Sequence, residues 1–200
     1  SKDFYSINKK SKWITSKDSK KITHLLRSKN DCIFSTSQSI NKDNSLLNCR
    51  IGGLNKFKPD VFIIDLNLRL KKKLSINNFT NKRKKFLITK KENKKKVNFF
   101  KKKGYKIIFI ESLVSKNDFL AMFKIIYKLG YYRAFFETGI TFLNTLLTHK
   151  LLNNLYILQS SFKLKKNGLN NSSPQLLKKL GLNKKIKVNL NNDSLYKFFF

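Results

Sequence analysis

Short apolar runs alternate with segments of helical periodicity along this chain, and that alternation constrains the fold more than any other feature. The runs have the length and the Ile, Phe and Tyr content of buried β-strands. They lie at 31–37, 60–68, 85–89, 105–111, 132–137 and 154–161. Strands that alternate with helices predict an α/β domain whose central sheet is mostly parallel and flanked by helices. Two further runs, at 185–190 and 194–200, predict an antiparallel C-terminal hairpin.

Local signals predict where the helices begin and where the chain forms loops. Thr15 with Asp18, and Ser115 with Asp118, match the capping-box spacing that starts a helix. A Lys-rich helical stretch that closes at Gly104 and a fourth helix over about 140–151 are also expected. Three polar, turn-rich or basic segments are predicted as loops, the last with a short helix: 38–50, 69–84 and 163–184. With no repeat and no change in composition, residues 1–200 are expected to form a single domain.

The formal charge of +33 admits a nucleic-acid-binding protein as one interpretation. Only five of the 44 basic residues are Arg, however, and Asn, Ile and Phe abound as well. This composition is typical of a protein encoded by an A+T-rich genome, in which Lys accumulates wherever solvent tolerates it. We therefore expect a solvated basic surface and no specific nucleic-acid partner. Trp13 and the arginines need G or C in their codons, and among those that persist Trp13, Arg27 and Arg50 become candidates for roles that Phe or Lys cannot fill.

Targeting and redox signals point to the cytoplasm. No apolar run approaches the length of a membrane span, so no membrane partner is expected, and the first residues lack the apolar centre of a signal peptide. Cys32 and Cys49 fit a reducing compartment. His24 and His149 lack neighbouring ligands, so no metal site is predicted and both are interpreted as surface or helix-end residues.

The stretch RAFFETGITFLNTLL (133–147) is the first candidate site, because it passes from a predicted strand into a predicted helix. Ligands of open α/β sheets bind beyond the carboxyl ends of the strands. Gly139 would let a ligand approach the backbone, and the helix start would favour a phosphate. The alternative is that Glu137 is only a carboxylate favoured by the helix dipole.

The predicted loop 38–50 is the second candidate site. Asp43 lies among small polar residues and Arg50 closes the segment. A carboxylate and a guanidinium in one cleft suit a phosphorylated sugar with a proton to move. An Asx-turn and a surface Arg would explain the same residues without a ligand. The chain contains neither a P-loop nor the G-x-G-x-x-G pattern, so a Rossmann dinucleotide site lacks its fingerprint.

In chain order, five stretches resemble one family: the reductase domain of the bifunctional riboflavin-biosynthesis pyrimidine deaminase/reductase. They are SKWITS, HLLRSKNDCIF, DNSLLNCR, KPDVFIIDLNLRL and FFETGITFLNTLL with the following NNLYIL. The resemblance runs from residue 1 to about 170. It implies a dihydrofolate-reductase-like α/β fold and NADPH as cofactor. The implied reaction reduces the ribosyl group of 5-amino-6-(5-phosphoribosylamino)uracil to a ribityl group, by hydride transfer to C1 of the sugar.

The resemblance also implies roles for individual residues. On the substrate side it places Ser11, Arg27, Leu47, Arg50 and Glu137, with the two arginines at the phosphate. Along the cofactor it places Trp13, Ser39, Asp43, and Gly139, Ile140 and Thr141 within a cradle that extends to Thr145. Asp43 would also be the acid or base near the sugar.

The chain departs from the family pattern at a few positions. Thr138 stands where the family has Gly or Ala, Ser45 where it has Pro, and Ser39 where it has Thr. The family's first strand precedes residue 1, so the chain is expected to be a reductase domain that lacks this strand, with a zinc deaminase domain possible upstream. A homodimer or homotetramer is expected. Two alternatives stay open: a basic nucleic-acid-binding α/β protein, and a reductase of a related pyrimidine or pteridine.

Overall fold

A computed structural model describes residues 1–11, 13–54, 58–78, 83–90, 93–171 and 185–200. The strands in these ranges are β1 (Tyr5–Asn8), β2 (Cys32–Thr36), β3 (Asp60–Ile64), β4 (Lys85–Thr89), β5 (Tyr105–Phe109), β6 (Ala134–Phe136), β7 (Asn154–Gln159), β8 (Gly168–Asn171), β9 (Lys185–Ile186) and β10 (Ser194–Phe199). The α-helices are α1 (Lys17–Ser28), α2 (Ser37–Asp43), α3 (Lys94–Lys102), α4 (Lys116–Lys128) and α5 (Ile140–Thr148). The chain forms two compact units, residues 24–139 and residues 1–23 with 140–200.

The unit of residues 24–139 contains a five-stranded sheet in the order β5-β4-β3-β2-β6, and every neighbouring pair is parallel. Chain order runs outward from β2 through β3 and β4 to β5. The next strand, β6, then pairs with the opposite side of β2. The order therefore reverses between β2 and β6, which is the topological switch point of this sheet. The predicted parallel α/β sheet is confirmed.

A row of stacked phenylalanines crosses one face of this sheet. Phe136, Phe34, Phe62 and Phe86 stand at matching register positions on β6, β2, β3 and β4. Their ring centroids are 4.7, 4.8 and 4.2 Å apart in that order. Tyr131 packs edge-on against Phe62 and Phe86. Stacked and edge-on contacts stabilise aromatic pairs beyond the area that they bury.

The other face carries the aliphatic core of the unit. Strand residues such as Ile33, Ile63 and Leu87 pack with Val97 and Phe100 of α3. The strands are covered on both faces. This explains why their sequences are nearly continuous apolar runs, as expected for buried parallel strands.

The unit of residues 1–23 and 140–200 contains antiparallel strands. β10 pairs with both β7 and β9, which confirms the predicted C-terminal hairpin. β1 pairs with β8, a ribbon that the sequence did not predict. The Tyr5 ring lies against Gly168 so closely that a Cβ there would be 2.2 Å from it, so only Gly fits.

Several predicted boundaries were wrong. The segment predicted as a loop from residue 38 begins as helix α2, because Thr36 caps it and Ile40 is buried on its inner face. The capping box at Ser115 and Asp118 is confirmed. At the first helix the cap is Ser16, whose Oγ accepts from the Ser19 amide, and not Thr15.

Two predicted elements are shorter than expected. The strand expected over 60–68 ends at Ile64, because the Asp65 carboxylate accepts from the amides of Arg69 and Leu70 and so closes a turn. The helix expected over 140–151 ends at Thr148. In the predicted loops, residues 79–82 and 172–184 lie outside the described part of the chain.

Candidate active site

The candidate site in the unit of residues 24–139 lies at the switch point, where β2 and β6 end side by side. The Glu137 amide donates to the Phe34 carbonyl over 2.9 Å, and the Ser35 hydroxyl donates to the Glu137 carbonyl over 2.8 Å. These bonds fix Glu137 beside the C-terminal end of β2. Crevices at such points bind ligands in open α/β sheets, so the fold places Glu137 where a ligand is expected.

Arg27, near the end of α1, forms a two-point ion pair with Glu137. Its Nε donates to Glu137 Oε2 over 2.8 Å and its Nη2 to Oε1 over 2.5 Å. The Arg27 side chain is 8% exposed, whereas that of Glu137 is 31% exposed. A bidentate pair of this kind fixes both orientation and distance, as two separate point charges would not. Two residues predicted separately for the substrate side are thus in direct contact.

Helix α2 brings two further predicted residues to this unit. Ser39 lies in its first turn, where its amide donates to the capping Thr36 and its Oγ lies 3.0 Å from Thr36 Oγ1. Asp43 is the last residue of the helix and is exposed. Helix α2 therefore separates the two predicted residues by about one helical turn.

The segment 44–50 follows α2 and carries the remaining predicted residues of this unit. The Leu47 side chain is 2% exposed and belongs to the hydrophobic core. Any contact of Leu47 with a ligand would therefore involve its backbone. Arg50 is exposed, and its Nη1 donates to Asn48 Oδ1 over 3.0 Å. The exposed guanidinium of Arg50 can bind a phosphate. Arg27, by contrast, already donates three of its five N–H groups to Glu137 and Asn48.

His24 contacts the same segment, contrary to its interpretation as a surface or helix-end residue. Its Nδ1 lies 2.9 Å from the Asn48 carbonyl and 3.2 Å from the Arg50 amide nitrogen. Burial lowers the pKa of His24 below its ordinary value, and the nearby guanidinium groups of Arg27 and Arg50 lower it further. The neutral imidazole is therefore favoured in this position.

Sequence reasoning missed three residues that organise this unit: His24, Asn48 and Arg83. The carbonyl of Asn48 accepts from Arg27 Nη1 over 2.8 Å, and that of Leu47 from Arg83 Nη1 over 2.9 Å. Arg83 offered one signal, because it is one of five arginines in a Lys-rich chain. Asn48 offered none, since its contribution is made largely through the backbone.

Four predicted residues belong to the other unit: Ser11, Trp13, Ile140 and Thr141. Trp13 is 54% exposed, and the Lys20 ammonium lies 3.7 Å from its ring centroid. The indole borders a cavity of about 300 Å³ that is also lined by Asp193. Ser11 and Thr141 are exposed, and Ile140 begins α5. An exposed indole of this kind can stack on a planar ligand.

Gly139 provides a test of whether the residues of the first unit suit a nucleotide cofactor. A Cβ placed on Gly139 would have one heavy-atom neighbour within 4 Å, Ser39 Oγ at 3.9 Å. The backbone here is open, and a hydroxyl faces it. Phosphate and ribose groups need this combination of close backbone approach and a nearby donor, so these residues fit a nucleotide.

In the described part of the chain, no cluster of His, Cys, Asp and Glu could hold a metal ion. Among the same residues, no helix combines the length and the apolar character needed to cross a membrane.

Comparison with known proteins agrees with this fold. The model of a family described as the RibD C-terminal domain matches residues 5–168. The riboflavin biosynthesis protein RibD of Aquifex aeolicus is 33% identical over 107 residues, which are 54% of this chain and 29% of that protein. The chain thus spans less than a third of the curated relative that it matches.

Three solved structures are similar. Acinetobacter baumannii RibD has 16% identity and a TM-score of 0.75, with 98% of this chain and 54% of that chain covered. A Thermotoga maritima diaminohydroxyphosphoribosylaminopyrimidine deaminase/5-amino-6-(5-phosphoribosylamino)uracil reductase has 19% identity and a TM-score of 0.69, with 98% and 53% covered. The Saccharomyces cerevisiae riboflavin biosynthesis reductase Rib7 has 20% identity and a TM-score of 0.67, with 92% and 81% covered.

At these identities the solved structures establish the fold, and the match of the family model over most of the chain establishes the family. The chain belongs to the family of RibD C-terminal domains and has their dihydrofolate-reductase-like α/β fold.

Proposed function

We propose that this protein reduces 5-amino-6-(5-phosphoribosylamino)uracil to the 5-phosphoribitylamino product, with NADPH as the reductant. Family membership supports a reductase of riboflavin biosynthesis. The observation that carries the proposal is the Arg27–Glu137 pair at the switch point of the parallel sheet. This pair presents a fixed carboxylate, and the exposed Arg50 guanidinium belongs to the same unit. A polar heterocycle joined to a sugar phosphate matches these charges.

NADPH would supply the hydride that reduces C1 of the sugar. The residues that the family resemblance assigns to this cofactor are Ser39, Asp43, Gly139, Trp13, Ile140 and Thr141. Ser39 and Gly139 contribute a hydroxyl and an open stretch of backbone. Trp13 contributes an exposed aromatic face. The choice of NADPH over NADH is part of the proposal and rests on the family resemblance.

On the substrate side, Arg50 is the residue best suited to the phosphate, because its guanidinium is exposed and charged. Arg27 already donates three of its N–H groups, to Glu137 and to the Asn48 carbonyl. Its remaining two could still reach a phosphate oxygen. Its main role is then to orient the Glu137 carboxylate toward the polar edge of the pyrimidine. Ser11 and Leu47 keep the substrate-side assignments that the family resemblance implies.

Asp43 is the proposed acid or base. As the sugar ring opens, the ring oxygen gains a proton and the exocyclic nitrogen loses one, and a carboxyl group within reach can carry such a proton. Asp43 ends α2 and is exposed, so it can exchange protons with solvent between turnovers. Among the described residues of segment 38–50 it is the one acidic side chain.

A second candidate function is binding of nucleic acid, which the charge of +33 favours. The positions of the aromatic residues do not decide between the two functions. Phe34, Phe62, Phe100 and Phe119 are fully buried, where they cannot stack on bases, whereas Trp13, Tyr132 and Phe162 are exposed. The family match is what favours the reductase. A reductase of a related pyrimidine or pteridine is a variant of the main proposal with a different substrate.

We propose four further properties for the protein. They are a single reductase domain over residues 1–200, a cytoplasmic location, a homodimer or homotetramer, and a possible zinc deaminase domain upstream.

The test follows oxidation of NADPH at its absorbance band with three potential substrates. These are the phosphoribosylamino compound, its dephosphorylated form and the diaminopyrimidine analogue. The proposal expects turnover with the first and at least a tenfold lower kcat/KM with the second, since the phosphate contact would be lost. Preference for the diaminopyrimidine would transfer the activity to a related substrate. Absence of turnover in a folded protein that binds RNA in a salt-sensitive manner would overturn the proposal in favour of nucleic-acid binding.

A further inference from the structure

Two buried guanidinium groups hold three consecutive backbone carbonyls of the segment 44–50. Arg83 donates from Nη2 to the Leu46 carbonyl and from Nη1 to the Leu47 carbonyl, the latter over 2.9 Å. Arg27 donates to the next carbonyl, that of Asn48, over 2.8 Å. The segment has no strand or helix of its own, so these bonds replace the backbone ladder that would otherwise fix it.

The backbone of this segment needs such support. Asn44 and Leu47 adopt left-handed conformations, with φ of 46° and 50°. Asn tolerates this region, but Leu populates it only when the surroundings impose it. The buried Leu47 side chain anchors one side of the residue and Arg83 holds its carbonyl on the other. The conformation of the segment is therefore imposed by its contacts and would not persist by local preference.

Arg83 is suited to this role in a way that Lys is not. It is 7% exposed, and burial lowers its pKa to about 10, so it stays charged at neutral pH. Its planar fork reaches two adjacent carbonyls at once, whereas an ammonium is a single point of charge on a flexible stem. The next two residues are Lys84 and Lys85, so Arg at position 83 stands out against Lys-rich neighbours.

We propose that Arg83 is a positioning residue, which holds the segment 44–50 in the conformation that presents Arg50 to the substrate. That the segment faces the substrate rests on the proposed function. That Arg83 fixes the conformation of the segment does not. Arg83 acts on the segment through the carbonyls of Leu46 and Leu47.

The first test is hydrogen exchange of backbone amides, which needs no activity. In the intact protein the amides of Leu47 and Arg50 donate to Ser45 Oγ and His24 Nδ1 and should be protected. Arg83→Lys is expected to speed exchange in peptides covering 44–50 by about tenfold or more, the scale of one charged hydrogen bond. Amides of β2 and β3 should be unchanged. Arg133→Lys, at an exposed Arg paired with Asp31, is the matched control and should leave 44–50 unaffected.

The second test distinguishes an effect on substrate binding from an effect on cofactor binding. Arg83→Lys is expected to raise KM for the phosphorylated substrate about tenfold while KM for NADPH changes less than about twofold. Arg83→Ala should behave likewise, and millimolar guanidinium should restore both KM and exchange protection by filling the vacated site. If Arg83→Ala folds only when guanidinium is present, that result also supports the proposal.

Exchange that rises uniformly across residues 24–139, or no change in 44–50, would overturn the proposal, as would failure of guanidinium to restore protection. If the unaltered protein shows no turnover but Arg83→Lys loosens 44–50 selectively, the hold on the segment stands and the proposed function alone fails.

Discussion

Arg27 and Glu137 stand 110 residues apart in the chain and meet in a bidentate ion pair at the switch point of the parallel sheet. The pair explains why a chain with eleven acidic residues retains a carboxylate at this turn. Helix-dipole stabilisation alone would have accepted an acid anywhere in the first turn of the helix. A buried guanidinium instead selects one position and one orientation.

The first prediction concerns the pair itself. Arg27→Lys and Glu137→Gln are each expected to lower the free energy of unfolding by about 1–3 kcal/mol, less than for a fully buried pair because Glu137 is partly exposed. Urea denaturation of the two variants and of the double variant would measure it. The double variant should lose less than the sum of the two single losses. Strictly additive losses would show that Arg27 and Glu137 have no coupling free energy and so do not stabilise the fold as a pair.

The second prediction concerns Asp43. Asp43→Asn keeps the size of the side chain and removes its ability to exchange a proton. The expected result is a fall in kcat of about 10²–10⁴-fold with little change in stability, measured by NADPH oxidation and thermal melting. Asp18→Asn is the matched control, since Asp18 contacts Lys21 and Asn191 and has no proposed catalytic role. Turnover that survives Asp43→Asn would restrict Asp43 to positioning.

The sequence predicted the parallel sheet well because its signals are strong and local. Runs such as those at β3 and β4 are apolar on both faces, a pattern typical of strands buried within a parallel sheet. Helix α2 was missed because it is seven residues long and made of Ser, Gln, Ile, Asn, Lys and Asp, which are common in loops as well. Its existence depends on burial of Ile40, a tertiary contact. The β1–β8 ribbon joins segments about 160 residues apart, and no local pattern indicates such a pairing.

The candidate site could be predicted in its residues but not in its contacts. Glu137, Arg27 and Arg50 were identified separately from the sequence, and the ion pair between the first two was not. Contacts made by backbone carbonyls, such as those of Leu46 and Asn48, carry no side-chain signature at all. His24 was assigned to the surface because its partners, Asn48 and Arg50, lie more than 20 residues away in the chain.

The third prediction concerns the stacked phenylalanines. Phe62 is fully buried between Phe34 and Phe86 and has Tyr131 against its edge. Phe62→Ala is expected to cost about 3–5 kcal/mol in the free energy of unfolding, from lost transfer energy and the cavity that remains. Phe109→Ala, at a ring that is 47% exposed on β5, should cost less than about 1 kcal/mol. Equal costs in urea denaturation would contradict the described packing.

The fourth prediction concerns the protonation of His24. In the neutral tautomer with its proton on Nε2, Nδ1 accepts from the Arg50 amide 3.2 Å away. Protonation would turn Nδ1 into a donor and place a third positive charge beside Arg27 and Arg50, and a hydrogen bond from Nδ1 to the Asn48 carbonyl would offset only part of this cost. Burial and these two charges lower the pKa of His24 in the folded protein below its ordinary value. Between that lowered pKa and about 6.5, the unfolded chain binds more protons than the folded one, so stability falls as pH falls.

Thermal melting between about pH 7.5 and pH 5.5 would detect this loss. Asn at position 24 can place a neutral amide oxygen near the site of Nδ1, so His24→Asn is expected to flatten the decline over that range. His149→Asn removes the chain's other histidine and should leave the decline as it is in the unaltered protein. Protonation of His24 should also loosen the segment 44–50, because the Arg50 amide then loses Nδ1 of His24 as its acceptor. KM for the phosphorylated substrate should therefore rise toward pH 5.5 in the unaltered protein and in His149→Asn, and less in His24→Asn. A decline in stability that is the same in all three proteins would assign the pH dependence to other groups.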